Sequence, residues 1–318
     1  MEGNNHGLIA VYDSLLICWN PKLPNHFFNI FNLETGKEIG SFIPKGQGPQ
    51  EVVSVNCIFQ FLTKGNDITT LLNDPYENKS LIWNISQSIR KGETMLDTIM
   101  PFTRKGENQN RSYNFLFTLS ENTLFAYSQS DFLSEHEVTT PLYEKRNLYT
   151  DELLQEYPIY KKKSVSNTKI SPNFFFYSWD AIKPDGSKIV QAMSKLPQIN
   201  IIDIQTGDIT SYRLPESPNF SFIEKSTPLK NEYYNCVQAD DRFIYATYWG
   251  KEQWGTDIDD KIPDFHTIHV FDWKGKLVYE LQTDRIFFRI WLDPIKNRLY
   301  TQNHDTDEVY YIDLNELG

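Results

Sequence analysis

Cysteine is scarce, with three residues in 318: Cys18, Cys57 and Cys236. Three thiols cannot build a disulfide framework, and their spacing lacks the close pairs of a structural zinc site. Each sits in an apolar run and reads as an inert core thiol. Long apolar stretches are missing as well. None approaches the roughly 18 to 20 residues of a membrane-spanning helix, so no membrane span is expected. There is no basic excess either. With 31 Lys and Arg against 42 Asp and Glu, the net charge is −11, which argues against nucleic acid as a partner. The start, Met1 to His6, lacks the basic-then-apolar order of a signal peptide. Helical periodicity is nearly absent. Only residues 150–157, with Thr150 or Asp151 placed as a cap, predict a short helix.

What is present is alternating and aromatic. Apolar residues make up 40% and charged residues 23%, the balance of a globular chain. Six segments share one form: an apolar or alternating run, a tight polar turn, and a second run. They are 8–12 with 15–19, 55–62 with 68–72, 113–119 with 123–127, 174–182 with 188–193, 233–238 with 242–248, and 287–292 with 298–302. Their turns are rich in Asn, Asp, Gly and Pro, the residues that supply hairpin geometry. A second hairpin comes after several of them: 27–32 then 38–43, 199–204 then 209–214, 268–273 then 277–281, and more loosely 81–85 then 95–100.

Four short antiparallel strands about every 50–55 residues describe the blade of a β-propeller. The expected fold class is all-β, a six-bladed β-propeller with four-stranded antiparallel blades. One domain is predicted over 1–318, with blades at roughly 7–50, 51–105, 106–165, 166–222, 223–283 and 284–318. The last blade offers three strands before the chain stops, so it is expected to be short of its outer strand. An open edge is a pairing liability, and the missing strand is expected from sequence upstream of Met1.

The segment Pro44-Lys45-Gly46-Gln47-Gly48-Pro49-Gln50-Glu51-Val52 resembles the G-x-G-P-x-E-F stretch of NHL-type and TolB-like six-bladed propellers, with Val52 in place of Phe. Leu72-Asn73-Asp74 and then Ser80-Leu81-Ile82 are similar to the strand, polar loop and strand that come next in that family. The resemblance is to propellers of the Bacteroidetes type, often exported lipoproteins. It implies a cell-envelope, periplasmic or outer-surface location and leaves the activity unassigned. The missing signal peptide keeps the cytoplasm open.

In a propeller, the starts of first strands and the ends of second strands meet on one face. That topology gathers the candidate ligand-binding residues Asn73, Asp74, Asn114, Tyr234, Trp249, Trp254, Arg289, Asn303 and His304. Two long connections, from Ser128 to about Tyr157 and from Trp249 to Phe265, start on the same face, where loops usually carry function. Aromatics beside Asn, Asp and Arg suit a protein, peptide or glycan ligand. No catalytic motif occurs, so no catalytic residue is assigned. No metal site is assigned: His266 and His269 lie three apart on a strand and face opposite ways. The acidic residues Asp257, Asp259, Asp260 and Asp264 do not match calcium-loop spacing. No cofactor is expected, and a monomer is. Recognition or scaffolding is the first reading; a hydrolase or lyase using Asp74, Arg289 and His304 in the channel mouth is the alternative.

Overall fold

The computed structural model describes residues 7–55, 59–77, 79–101, 111–120, 122–130, 142–158, 177–215, 231–252, 265–287, 289–303, 306 and 308–317. The sheet order runs with the chain. The first three sheets are β1 (Ile9–Tyr12), β2 (Leu15–Trp19), β3 (His26–Asn32) and β4 (Glu38–Pro44); β5 (Phe61–Lys64), β6 (Asp67–Asp74), β7 (Lys79–Asn84) and β8 (Leu96–Pro101); and β9 (Arg111–Ser120), β10 (Thr123–Ser130), β11 (Leu142–Asn147) and β12 (Leu153–Pro158). The next two are β13 (Ser178–Ile182), β14 (Lys188–Met193), β15 (Gln198–Asp203) and β16 (Ile209–Arg213), then β17 (Asn231–Ala239), β18 (Phe243–Glu252), β19 (Phe265–Asp272) and β20 (Leu277–Phe287). The last has three strands, β21 (Arg289–Asp293), β22 (Arg298–Gln302) and β23 (Val309–Asp313). This is a six-bladed β-propeller with a three-stranded final blade. Two compact units divide the chain. The first holds the first three sheets and the Asp293–Lys296 turn, and the second holds the others.

Turn chemistry explains the hairpins. The β1–β2 and β5–β6 loops have two residues each, and they place Asp13 at φ 54° and Gly65 at φ 63°. Positive φ at this position gives the turn twist that matches paired strands.

A second device recurs at the end of every third strand. β3, β7, β11, β15, β19 and β23 end on Asn32, Asn84, Asn147, Asp203, Asp272 and Asp313. Each side chain accepts backbone N–H groups just ahead. Asn32 takes Glu34 and Thr35 at 3.1 and 2.8 Å, Asn147 takes Tyr149 and Thr150 at 2.9 and 3.0 Å, and Asp203 takes Gln205 and Thr206 at 3.0 and 2.9 Å. Asp272 takes Lys274 and Lys276, and Asp313 takes Asn315. Short polar side chains turn the backbone by such bonds. Asn84 instead caps a helix, α1 (Ile85–Lys91), by accepting from Gln87 N–H.

The residue after each of these is apolar: Leu33, Ile85, Leu148, Ile204, Trp273 and Leu314. In four blades its N–H reaches back to the turn between the first two strands: Leu33 to Ser14, Leu148 to Asn122, Ile204 to Ser187 and Leu314 to Asn297, at 2.8 to 3.0 Å. Each of these four blade corners is thus tied to its own inner hairpin.

Strand alternation sets the core. In the second unit, Ala181, Val190, Ala192, Ile199 and Ile201 pack with Tyr233, Tyr234, Val237, Ile244, Ala246 and Phe271 in one buried cluster. Each fully buried aliphatic side chain contributes about 1.5–3 kcal/mol. The opposite face of the β13–β16 sheet is polar and buried. Asp180, Gln191 and Asn200 are cross-strand partners there, linked through Ser178 and ending at Ser211.

The helix expected over 150–157 is the strand β12. Leu153, Leu154 and Tyr157 mimic helical spacing, but Asp151 at φ 56° and the Asn147–Glu152 backbone bond turn the chain into a pairing with β11. The long connection expected from Ser128 to Tyr157 therefore contains two strands. Of the run 55–62, the described residues Val55, Phe59 and Gln60 are outside strands and Phe61 opens β5; Val52 and Val55 are buried. Phe287 closes β20 rather than opening the last blade.

Candidate functional site

The G-x-G-P-x-E segment proves to be a closed loop in the first unit. Gly48 N–H donates to Glu51 Oε2 at 2.8 Å, Glu51 N–H to Gly48 O at 3.1 Å, and Gly46 N–H to Val52 O at 3.0 Å. Lys45 Nζ caps the Pro21 and Leu23 carbonyls and lies 5.0 Å from the Phe27 ring. Asp74 anchors the residue that follows this loop and the turn after its own strand. Its fully buried carboxylate accepts from Val53, Tyr76 and Glu77 N–H at 2.8, 3.0 and 3.1 Å. Neighbouring Asn73 is buried and accepts from Ser80 Oγ at 3.3 Å. Asn114 lies on β9.

In the second unit, Tyr234 is buried with its hydroxyl 3.2 Å from His269 Nδ1, and the His269 ring stacks on Tyr248 at 4.0 Å. His266, on the other face of β19, is exposed. Trp249 carries Lys251 Nζ 4.9 Å from its ring. Asn303 donates to Ile286 O at 3.3 Å and accepts from Thr306 N–H at 3.0 Å. Trp254, His304, Cys57 and the acidic residues Asp257, Asp259, Asp260 and Asp264 lie outside the described residues. Cys18 and Cys236 are buried thiols, neither of them in a disulfide.

Arg289 is different. Its guanidinium carbon sits 4.6 Å from the Trp179 ring, and Tyr177 meets the same ring edge-on at 6.0 Å. Arg289 opens β21, while Trp179 lies in β13 and Tyr177 just precedes it, so two first strands contribute. The connection from β14 to β15 completes the group. Ser194 N–H donates to Tyr177 O, its O accepts from Tyr233 N–H, and its Oγ donates to Tyr234 O, all at 2.8–2.9 Å. That node holds the next residue, Lys195, against Glu232 of β17 with Nζ 3.0 Å from Oε1. Lys195 is only 4% exposed and Glu232 24%.

These groups share one electrostatic environment. Burial pushes the Tyr177 hydroxyl up; the Arg289 cation opposes this, and Glu232 and Asp180 add to it. Burial pulls the Arg289 guanidinium down, offset by the Cys236 thiol and Tyr177. Burial likewise raises Cys236, against the pull of Arg289 and of backbone N–H groups. By exposed area Arg289 is half-buried, so part of the water around its charge is removed.

Sequence reasoning named Arg289 and Tyr234 here but not Tyr177, Trp179, Lys195 or Glu232. Topology was the available signal, since all four sit at first-strand starts or at a second-strand end. Among the described residues, no three His, Cys, Asp or Glu side chains group as a metal site. No helix among them is long and apolar enough to cross a membrane.

The family described as TolB-like 6-blade propeller-like matches residues 8–293. No curated protein matches the sequence. Among solved structures, a member of the DUF4221 family from Bacteroides vulgatus is similar with a TM-score of 0.61 at 12% identity, covering 96% of this chain and 93% of that one. A luciferin-regenerating enzyme has a TM-score of 0.50 at 11% identity, over 95% and 89%. Hydrazine synthase from Kuenenia stuttgartiensis has 0.50 at 12%, over 98% and 96%. At such identities the likeness is one of fold, and fold does not assign activity. On the family match across most of its length, the chain belongs to the TolB-like six-bladed propellers.

Proposed function

We propose that this protein is a recognition module of the cell envelope, binding a protein, peptide or glycan where the first strands of its last three blades begin. One observation carries the reading: the half-buried Arg289 guanidinium carbon lies 4.6 Å from the centre of the Trp179 ring, which Tyr177 meets edge-on. A guanidinium over a ring places a cation on an aromatic face. The aromatic rings supply flat apolar area next to it, the mixture that ligand sites use. The Lys195–Glu232 ion pair joins the β14–β15 connection to the start of β17.

Glycan and peptide arrays probed with the full chain test the proposal. A saturable ligand is expected, lost on Arg289→Ala and on Trp179→Ala at an unchanged melting temperature. Binding that survives both substitutions would place recognition elsewhere, and an absence of any saturable ligand would remove the reading.

A further inference from the structure

We infer that the outer edge of β23 is an interaction edge whose occupant is the β23 strand of a second copy of this chain, paired antiparallel about a two-fold axis. A dimer then stands in place of the monomer expected from the sequence. The other five sheets each cover their third strand with a fourth, whereas β23 has β22 on one side and, among the described residues, no strand on the other. The ladder shows which backbone groups are left over. Asn303 N–H donates to Glu308 O at 2.9 Å and Leu314 N–H to Asn297 O at 3.0 Å, so by alternation Tyr310 and Ile312 bond to β22. Val309 and Tyr311 turn their N–H and C=O groups the other way.

Sheet edges are commonly blunted by proline, charge or a bulge. In this chain β4, β8 and β12 end on Pro44, Pro101 and Pro158, and β4, β8 and β20 pair with a register shift. No such device stands on β23: Val309-Tyr310-Tyr311-Ile312 is uncharged, and its pairing with β22 is unbroken. Tyr311 is 52% exposed, with the Arg298 guanidinium carbon 4.1 Å from its ring centre. A second copy fits because the edge complements itself. A two-fold centred on Tyr311 sets that residue opposite its own mate, Tyr310 opposite Ile312 of the second copy, and Val309 opposite Asp313. Aromatic and apolar side chains then meet. Asp313, the one charge on the strand, faces no other carboxylate. A strand pair of five residues is small, so the dimer is weak. Two copies at −11 each repel, so salt favours it.

The test is sedimentation velocity of the full chain from about 10 µM to about 1 mM, with folding followed by circular dichroism. A monomer–dimer equilibrium is expected, moved toward dimer by added salt. Tyr311→Lys and Tyr311→Glu each set like charges across the axis and should each remain monomeric over that range. Mixed one to one, the two variants should pair. Tyr311→Pro deletes one outward N–H and no bond to β22, so it should also lose the dimer, and it keeps the test open if a charged variant misfolds. A wild-type chain that stays monomeric throughout, its edge covered by another segment or left bare, would overturn the inference. So would a dimer that survives Tyr311→Lys or Tyr311→Pro, because its interface would lie elsewhere. Folded Lys and Glu variants that fail to pair when mixed would rule out the two-fold at Tyr311.

Discussion

Gly275 faces Tyr212 so closely that a β-carbon placed there would lie 2.0 Å from ring atom Cδ2. Gly275 also sits at φ +79°, in the turn between β19 and β20, while Tyr212 belongs to β16 of the preceding blade. One residue thus serves a turn and an inter-blade contact. Gly275→Ala should cost the left-handed strain of about 1 kcal/mol plus the displacement of a packed ring. A total near 2–4 kcal/mol is expected by urea denaturation. Tyr212→Ala in the same chain should recover the steric part, so the two losses add to less than their sum. Full additivity would mean that the ring moves aside freely.

The polar corners of the third strands make a second prediction. Asn147→Ala and Asp203→Ala each strip two backbone N–H groups of their acceptor. Each should cost about 1–2 kcal/mol. Asn147→Asp should cost much less, because the accepting oxygen remains. Melting temperatures of the three variants check this; an equal loss for Asp and Ala at 147 would refute the acceptor role.

Those corners also show what the sequence made legible. Hairpins were readable because alternation and turn residues act locally, and so was the short sixth blade. The Asn-or-Asp–apolar pair ending all six third strands was equally local, but its intervals are uneven. An inserted helix after Asn84 and loops of different length break the period. Strand β12 was misread because Leu153, Leu154 and Tyr157 fit a helix as well as an outer strand. The site was legible only in part. Arg289 stood out as a charge opening a first strand. Lys195 and Glu232 are ordinary in the chain, and only the β14–β15 connection brings them to 3.0 Å.

Alkaline pH should unfold the protein partly through Tyr245. Its side chain is fully buried and donates to Asp240 Oδ2 at 2.9 Å. Burial first, then the Asp240 charge and the hydrogen bond to it, hold the hydroxyl far above its ordinary value. In the unfolded chain a tyrosine loses its proton near pH 10, about where the native one still holds it. The native state then binds more protons, so the contribution is fully present below about pH 10 and falls as pH rises beyond it. Urea midpoints should drop more steeply from pH 9 to 11 for the wild type than for Tyr245→Phe. Parallel slopes would rule this residue out.

The loop that carries the family motif makes the last prediction. A β-carbon at Gly46 would lie 2.0 Å from Glu51 Oε2, the same oxygen that accepts from Gly48 N–H at 2.8 Å. Gly46→Ala must therefore push the carboxylate off its donor. The cost should be about 1–2 kcal/mol, the worth of a charge-assisted bond to a backbone amide. Glu51→Ala removes both the bond and the obstacle. In that background Gly46→Ala should keep only the backbone strain of φ +155°, giving a coupling of about 1 kcal/mol in a double-mutant cycle. The spacing of glycine and glutamate in this motif is then a requirement of loop closure, and conservative exchange of Glu51 for Gln, which keeps an accepting oxygen, should preserve most of the stability. A zero coupling would show that the glycine is needed for its backbone alone.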